Sequence, residues 1–160
     1  MTQVAIFIGS TSDKEKMQSC TQILDELEIP YKFTVTSAHR TPERTEELVQ
    51  TLEDQGCQIF ICAAGLAAHL AGAVAARTIK PVLGVPLAAS ELGGMDSLLS
   101  TVQMPPGFPV GTLALDKVGA KNAAWLAAQI LALQDSSIAA RIRDARQQMQ
   151  KSIEEASRDL

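Results

Sequence analysis

The feature that most restricts the fold of this chain is a regular alternation of short apolar runs with amphipathic helical patterns. The first run, Val4–Ile8, contains no polar residue and is followed by a pattern in which apolar side chains recur every three to four positions. Strands are then predicted at 31–36 and 58–63, and helices at 42–54 and 67–77. Uninterrupted apolar strands are typical of a parallel sheet that helices cover on both faces.

The second half of the chain continues the same alternation. Strands are predicted at 80–85 and 110–115, with a short helix at 91–100 between them and a longer helix at 119–133 after them. We therefore expect one α/β domain over residues 1–160, with three αβα layers and a parallel sheet of about five strands. A flavodoxin-like strand order is favoured because no long crossover or second half-repeat is visible in the sequence.

A further helix is predicted at 137–157, after the last unit of strand and helix. Its apolar residues step by threes and fours and form a narrow seam, while most of its other positions carry charged or amide side chains. Because both faces of the sheet already have helices, we expect this helix to pack on a neighbouring subunit. Packing on its own domain and a solvated tail are the alternatives.

Charge and composition argue against several classes of function. The net charge of −4 disfavours a broad surface for nucleic acid or anionic membranes, and no stretch of the sequence is predicted to span a membrane. The three cysteines are odd in number, lack CxxC spacing and follow no signal peptide, so a cytoplasmic location is expected. Neither histidine has a second ligand at metal spacing, so no metal site is expected.

The hexapeptide at 37–42 reads SAHRTP and joins a predicted strand to a predicted helix. Pro42 suits the first turn of that helix and Thr41 suits its N-cap, so His39 and Arg40 fall on the loop. An imidazole there can transfer a proton near neutral pH, and a guanidinium beside a helix N-terminus can hold a phosphate. The alternative is that both are solvated loop residues at an ordinary helix start.

Two other loops follow predicted strands, and loops of this kind form the ligand site of an open parallel sheet. Residues 9–13 read GSTSD and can receive an anion, although Ser12 with Glu15 can equally form a capping box. Residues 64–72 carry small side chains around His69, which lets a ligand approach the backbone. The Walker and GxGxxG motifs are absent from the sequence, so a bound nucleotide is expected to be a monophosphate.

Five segments, in order, resemble the bacterial 5-(carboxyamino)imidazole ribonucleotide mutase family of purine biosynthesis. These segments are 9–13, 37–42, 67–70, 81–86 and 96–109. The resemblance implies a flavodoxin-like fold, a homo-octamer with active sites at subunit interfaces, and no metal, ATP or organic cofactor. It also implies an isomerase that moves a carboxylate from the exocyclic nitrogen of its nucleotide monophosphate substrate to the ring carbon, by decarboxylation and recarboxylation.

The same resemblance implies roles for individual residues. His39 would be the general acid/base that removes the ring proton, Ser37 and Arg40 would help to hold the phosphate, and His69 would line the pocket for the base and the carboxylate. The residues implied to contact the substrate are Ser10, Ser12, Asp13, Ser37, Ala38, Arg40, Gly65, Ala67, His69 and Leu70.

Two alternatives to the mutase remain open on the sequence. One is the related carboxylase branch, which uses carbon dioxide directly and typically has Lys after the histidine and a Ser-Asn pair in the third loop; this chain has Arg40 and Ala67-Ala68-His69 there. The other is a non-catalytic nucleotide-binding module. The chain departs from the mutase pattern at Leu66, where Gly is usual, and at Ala71, where Pro is usual. Leu66 adds bulk beside the expected pocket.

Overall fold

A five-stranded parallel sheet forms the middle layer of the structure, a computed structural model that describes residues 2–158. The strands are β1 (Val4–Ile8), β2 (Tyr31–Val35), β3 (Ile59–Gly65), β4 (Val82–Leu87) and β5 (Gly111–Thr112). Their spatial order is β2-β1-β3-β4-β5, so the flavodoxin-like order predicted from the sequence is confirmed. This order reverses at β1 and β3, which opens a crevice at the carboxyl ends of these two strands.

Six α-helices flank this sheet in the described part of the chain. They are α1 (Lys14–Glu26), α2 (Pro42–Asp54), α3 (Leu70–Ala75), α4 (Met95–Val102), α5 (Asp116–Leu131) and α6 (Ser136–Arg158). One hydrophobic core lies between the sheet and α1 with α5, and a second lies between the opposite face and α2 with α3. Because helices cover both faces, every residue of β1 and β4 is buried.

Strand β4 lies two residues further along the chain than predicted. The Lys80 N–H donates to Thr78 Oγ1 at 3.0 Å, which holds Lys80 in a turn before the strand begins. At the other end, β4 continues through Pro86, which lies opposite Ala64 of β3 in the parallel register. The sequence prediction ended this strand at 85 because proline usually interrupts a sheet. The loop after β4 therefore starts later than expected.

Helix α3 is shorter than the predicted helix at 67–77. The four residues before it form an irregular turn in which Leu66 and Ala68 have positive φ values of 55° and 27°. The Ala68 N–H donates to the Gly65 carbonyl at 3.0 Å and closes this turn. Helical φ and ψ values are therefore reached at His69, the N-cap residue, with φ of −77° and ψ of −14°.

Helix α6 packs on its own domain through its first half only. Ile138 and Ile142 are 1% and 7% exposed and join the core beside α5, and Arg141 Nε donates to the Leu27 carbonyl at 2.6 Å. The second half is exposed along its length, including Met149 at 48% and Ile153 at 72%. The predicted seam is thus divided into a buried half and an exposed half.

The three cysteines are free and buried. Burial raises the pKa of the Cys20 thiol to about 12, and it also raises the pKa of Cys62 inside β3, so neither is a thiolate at neutral pH. Between residues 2 and 158, no three His, Cys, Asp or Glu side chains form a group that could hold a metal ion. None of the helices in this range is both long and apolar enough to cross a membrane.

Candidate active site

A cavity of about 580 Å³ lies where the loops after β1, β2 and β3 meet, at the carboxyl ends of these strands. Every site residue predicted from the sequence lines it: Ser10, Ser12, Asp13, Ser37, Ala38, His39, Arg40, Gly65, Ala67, His69 and Leu70. The remaining wall residues are Gly9, Ala64, Leu66, Ala68 and Ala89. The cavity occupies the position at which open parallel sheets bind ligands, outside the strand ends where the order reverses.

A larger cavity, of about 850 Å³, lies at the opposite end of β4. Its wall is formed mainly by residues 75–83 and 107–111, with no histidine and none of the three loops. Size alone would favour this cavity, but the smaller one collects both histidines of the chain, Arg40 and three serines. Convergent polar and titratable groups are the better indication of an active site, so the smaller cavity is the candidate active site.

The loop after β1 is closed by a capping box on Ser10 and Asp13. The Ser10 N–H donates to Asp13 Oδ2 at 3.1 Å, and the Ser12 hydroxyl donates to Ser10 Oγ at 3.0 Å. The capping box that Ser12 could alternatively form with Glu15 is not observed, because Ser10 and Asp13 form it instead. A 3-10 turn at Thr11–Asp13 precedes α1, and Ser10 is the N-cap residue of that turn.

Asp13 is half-buried in this loop and faces the cavity. Burial raises the pKa of its carboxyl above the ordinary aspartate value, although the Ser10 hydrogen bond and the positive charge of Lys16 oppose this shift. The folded state therefore gains stability when Asp13 is protonated. That gain is complete below the unfolded pKa and disappears as the pH rises through the higher folded pKa.

Asp13→Asn is expected to raise the melting temperature at pH 7, where the folded protein holds a carboxylate that burial disfavours. The rise should not exceed about 2 °C, because water screens a half-exposed charge and 1 kcal/mol corresponds to about 2–4 °C in a chain of this size. The difference should shrink as the pH is lowered towards the ordinary aspartate pKa of 3.8. Thermal melts at pH 7 and pH 4.5 measure both values, with Asp144→Asn on exposed α6 as the control. A rise that is equal at both pH values would contradict this account.

The loop after β2 folds back on itself before α2 begins. Thr41 occupies the N-cap position, as predicted, but its hydroxyl donates to the Ser37 carbonyl at 3.2 Å and accepts from the Ser37 N–H at 3.0 Å. The Arg40 N–H donates to Ser37 Oγ at 3.2 Å. The side chains of His39 and Arg40, between these contacts, are exposed and line the cavity.

Arg40 joins the second loop to the first. Its Nη2 donates to the Gly9 carbonyl at 2.8 Å, and its Nε lies 3.5 Å from Ser37 Oγ. A guanidinium carries five N–H donors, so these contacts leave further donors for an anion in the cavity. Arg40 thus lies between two loops that both carry hydroxyl groups.

The two histidines contact each other directly. His39 Nε2 lies 3.3 Å from His69 Nδ1, and the rings meet edge to face with their centroids 5.2 Å apart. A hydrogen bond across this contact needs one nitrogen to donate and the other to accept, whereas two imidazolium rings could only donate. The contact therefore places two side chains that are capable of general acid/base catalysis side by side in the cavity.

The loop after β3 brings its backbone close to the loop after β4. A Cβ atom on Gly65 would lie 2.6 Å from Ala89 Cβ and 3.1 Å from the Leu87 carbonyl oxygen, so this approach requires glycine. Ala89 is a wall residue that was not among the predicted site residues, because all of those lie in the loops after the first three strands. Its position two residues after the end of β4 is the feature that could have identified it.

Leu66 lies at the edge of the cavity with φ of 55°, in the left-handed region that favours glycine, and it is 57% exposed. Leu66→Gly is expected to raise the melting temperature by about 1–3 °C. Relief of the left-handed strain, about 1–2 kcal/mol, exceeds the added entropy of the unfolded chain, about 0.4–1 kcal/mol. Leu92→Gly, at a 66% exposed leucine whose φ is not positive, is the matched control and should lower the melting temperature. An equal decrease in the melting temperature of the two variants would show that Leu66 is not strained.

The chain matches the family described as AIR carboxylase over residues 3–152. It is 52% identical over 145 residues to the N5-carboxyaminoimidazole ribonucleotide mutase of Haemophilus influenzae, covering 91% of this chain and 88% of that protein. The protein of the same name from Bacillus subtilis is 48% identical over 157 residues, covering 98% of this chain and 97% of that protein. The corresponding Escherichia coli protein is 51% identical over 144 residues, covering 90% and 85%.

Similarity of structure agrees with similarity of sequence. The crystal structure of Treponema denticola PurE has a TM-score of 0.90 to this structure at 27% sequence identity, and the match covers 100% of this chain and 99% of that chain. The family match includes all three loops that line the cavity, and each of the three mutases covers at least 90% of this chain. The chain therefore belongs to the AIR carboxylase family.

Proposed function

We propose that this chain is an N5-carboxyaminoimidazole ribonucleotide mutase, an isomerase of purine biosynthesis, and that the cavity holding His39 and His69 is its active site. The observation that carries the assignment of the site is the 3.3 Å contact between these two rings, in a cavity that also presents Arg40 and serine hydroxyls. The substrate is a small nucleotide monophosphate, and its phosphate and its imidazole ring need different partners. The free, buried cysteines suit the reducing cytoplasm, where we expect the enzyme to work.

The phosphate is held on the side of the cavity formed by the second loop. Arg40 supplies charge-assisted N–H donors, and Ser37 lies beside it before the N-terminus of α2. Ser10, Ser12 and Asp13 of the first loop face the same space and provide hydroxyl and carboxylate groups for the sugar. This arrangement leaves the histidine pair for the imidazole ring.

The reaction exchanges a C–N bond for a C–C bond. The carbamate C–N bond breaks with its electron pair on the exocyclic nitrogen, which takes a proton from His39, and carbon dioxide is released within the site. The electron-rich ring carbon then attacks carbon dioxide, and His39 removes the proton from that carbon. His39 therefore begins and ends the cycle protonated, and the product is 4-carboxy-5-aminoimidazole ribonucleotide. For the ring carbon to capture the carbon dioxide, the site must hold both molecules in fixed positions and exclude most water.

A single subunit leaves this site open, which supports a role for neighbouring subunits. His39, Arg40 and His69 are all exposed in the isolated chain. We propose a homo-oligomer, an octamer, in which neighbours cover the cavity and the exposed half of α6 packs against another subunit. Met149 and Ile153, one turn apart on that half, form an apolar stripe that such contact would bury.

The assembly can be tested with Met149→Glu combined with Ile153→Glu. Placing two carboxylates on the stripe should reduce the mass measured by light scattering from that of eight chains to that of a smaller species, because burying unpaired charges is costly. Gln147→Glu with Gln148→Glu adds the same charge to neighbouring exposed positions of α6 and should leave the mass unchanged. If the variant with both substitutions remains an octamer, the exposed half of α6 is not part of the subunit interface.

The activity is tested by an isomerisation assay on the purified protein, with and without ATP. Conversion of N5-carboxyaminoimidazole ribonucleotide to the ring-carboxylated isomer, at the same rate in both conditions, is the expected result. A second arm supplies aminoimidazole ribonucleotide and labelled bicarbonate without ATP. Rapid labelled product in that arm would identify a direct carboxylase instead, and binding without turnover in either arm would identify a non-catalytic nucleotide-binding module.

A further inference from the structure

Two charged side chains that lie 100 positions apart meet beside the active-site cavity. Lys16, in the first turn of α1, donates through Nζ to Asp116 Oδ1 at 2.7 Å. The same Nζ donates to the Ala88 carbonyl at 2.6 Å, and Asp116 Oδ1 accepts from the Ala88 N–H at 3.0 Å. Both backbone polar groups of Ala88 are therefore bonded to one ion pair, which we call the Lys16–Asp116 pair.

Ala88 is the first residue after β4, and its position affects the cavity wall. The next residue, Ala89, lines the cavity. It lies so close to Gly65 that a Cβ atom added to Gly65 would be 2.6 Å from Ala89 Cβ. Gly65 is the last residue of β3, directly before the loop that carries His69. The Lys16–Asp116 pair thus holds a backbone segment that packs directly against the third loop of the site.

Asp116 has a backbone conformation that needs such support. Its φ is 54°, in the left-handed region, where a residue with a side chain is strained although aspartate tolerates it better than most. Strain of this kind persists where the surrounding contacts fix it, and it occurs often at functional sites. The side-chain bonds of Asp116 to Lys16 and Ala88 are the contacts that fix it here.

A second ion pair between the same two helices provides a comparison. Lys117 Nζ lies 3.5 Å from Glu15 Oε1, and these side chains are 61% and 83% exposed, against 31% and 34% in the Lys16–Asp116 pair. Its lysine makes no bond to the loop after β4 among the contacts of the described residues. Both pairs join α1 to α5, but of the two only the Lys16–Asp116 pair bonds Ala88, the neighbour of the wall residue Ala89.

We propose that Lys16 and Asp116 are positioning residues that hold the loop after β4 against the active site and thereby set the affinity for the substrate. The proposal rests on the proposed function for its substrate. Lys16 and Asp116 do not contact the reacting atoms in this account and act through the backbone of Ala88 and the side chain of Ala89. A contact in the cavity wall stabilises the bound substrate and the transition state equally, so its loss changes KM more than kcat.

The test compares Lys16→Met and Asp116→Gly in the isomerisation assay. Each should raise KM about tenfold and change kcat by less than about twofold. Asp116→Gly should at the same time keep or raise the melting temperature, because glycine relieves the left-handed strain. A purely structural role would move stability and affinity together. Lys16→Arg should restore most of the affinity, and the double variant should be no worse than the single ones, because both changes break one unit.

Lys117→Met is the matched control and should leave KM unchanged. Unchanged KM in both Lys16→Met and Asp116→Gly, or an equal rise in Lys117→Met, would overturn the proposal. Hydrogen–deuterium exchange separates this outcome from failure of the proposed function. If the unaltered protein shows no turnover, the proposed function fails, and the positioning role is then judged by exchange at residues 87–90. Exchange there should rise in Lys16→Met and Asp116→Gly but not in Lys117→Met, and equal exchange in all three would refute it.

Discussion

His39→Asn is expected to lower kcat for the isomerisation by about two to four orders of magnitude, the usual contribution of a positioned proton-transfer group. Asparagine has a similar size and can still form hydrogen bonds, but it cannot accept the ring proton near neutral pH. His39 is exposed in the isolated chain, so the substitution removes no core packing and the fold should be retained. Initial rates of conversion, measured with thermal melts of the same samples, give the result.

His69→Asn distinguishes the reacting ring from its neighbour. If His69 only orients His39 through the 3.3 Å contact, its loss should lower kcat by about tenfold, and the double variant should resemble His39→Asn alone. A large loss in His69→Asn with near-normal turnover in His39→Asn would exchange the two roles. Near-normal turnover in both single variants and in the double variant would place the proton transfer outside the histidine pair.

The strength of local sequence patterns decided which elements could be predicted from the sequence. Helix α2 was predicted at 42–54 and is observed as Pro42–Asp54, because proline marks its first turn and Gly56, with φ of 91°, follows its end. Strand β1 was equally well marked by an uninterrupted apolar run. In contrast, β4 lies two residues beyond its predicted bounds, because the strand tolerates Pro86 at its next-to-last position whereas proline usually marks a strand end.

The candidate site was predicted by topology more than by any single motif. Each of the three loops has an ordinary explanation as a helix start, but a parallel sheet brings the carboxyl ends of its strands to one edge, and there the loops line one cavity. The contact between His39 and His69 follows from that arrangement.

Long-range contacts escaped prediction. Lys16 and Asp116 lie on different helices with no pattern that links them, and the positive φ of Asp116 has no counterpart in its local sequence. The choice between Ser10 and Ser12 as the cap was open for a similar reason, since both are good cap residues and only the 3-10 turn decides between them.

Arg40→Met is expected to weaken binding of the ribonucleotide by about 100-fold, because hydrogen bonds to a charged group contribute about 1.5–3 kcal/mol each and this guanidinium can donate more than one to a phosphate. Methionine keeps the length and apolar stem of arginine but has no donor. Calorimetric titration with aminoimidazole ribonucleotide measures the loss. The substitution should raise KM more than it lowers kcat, because the phosphate takes no part in the chemistry.

Measuring the riboside, which lacks the phosphate, completes a double-mutant cycle that isolates the interaction between Arg40 and the phosphate. Arg40→Met and the unaltered protein should bind the riboside equally, since removing the phosphate and removing the guanidinium break the same contact. If the riboside is also bound more weakly by the variant, the loss arises from the Arg40 Nη2 bond to the Gly9 carbonyl, which joins the two loops. Arg44→Met, on α2 outside the cavity wall, controls for the loss of a nearby positive charge and should leave both affinities unchanged. A 100-fold loss for the ribonucleotide with none for the riboside is therefore the result that assigns Arg40 to the phosphate.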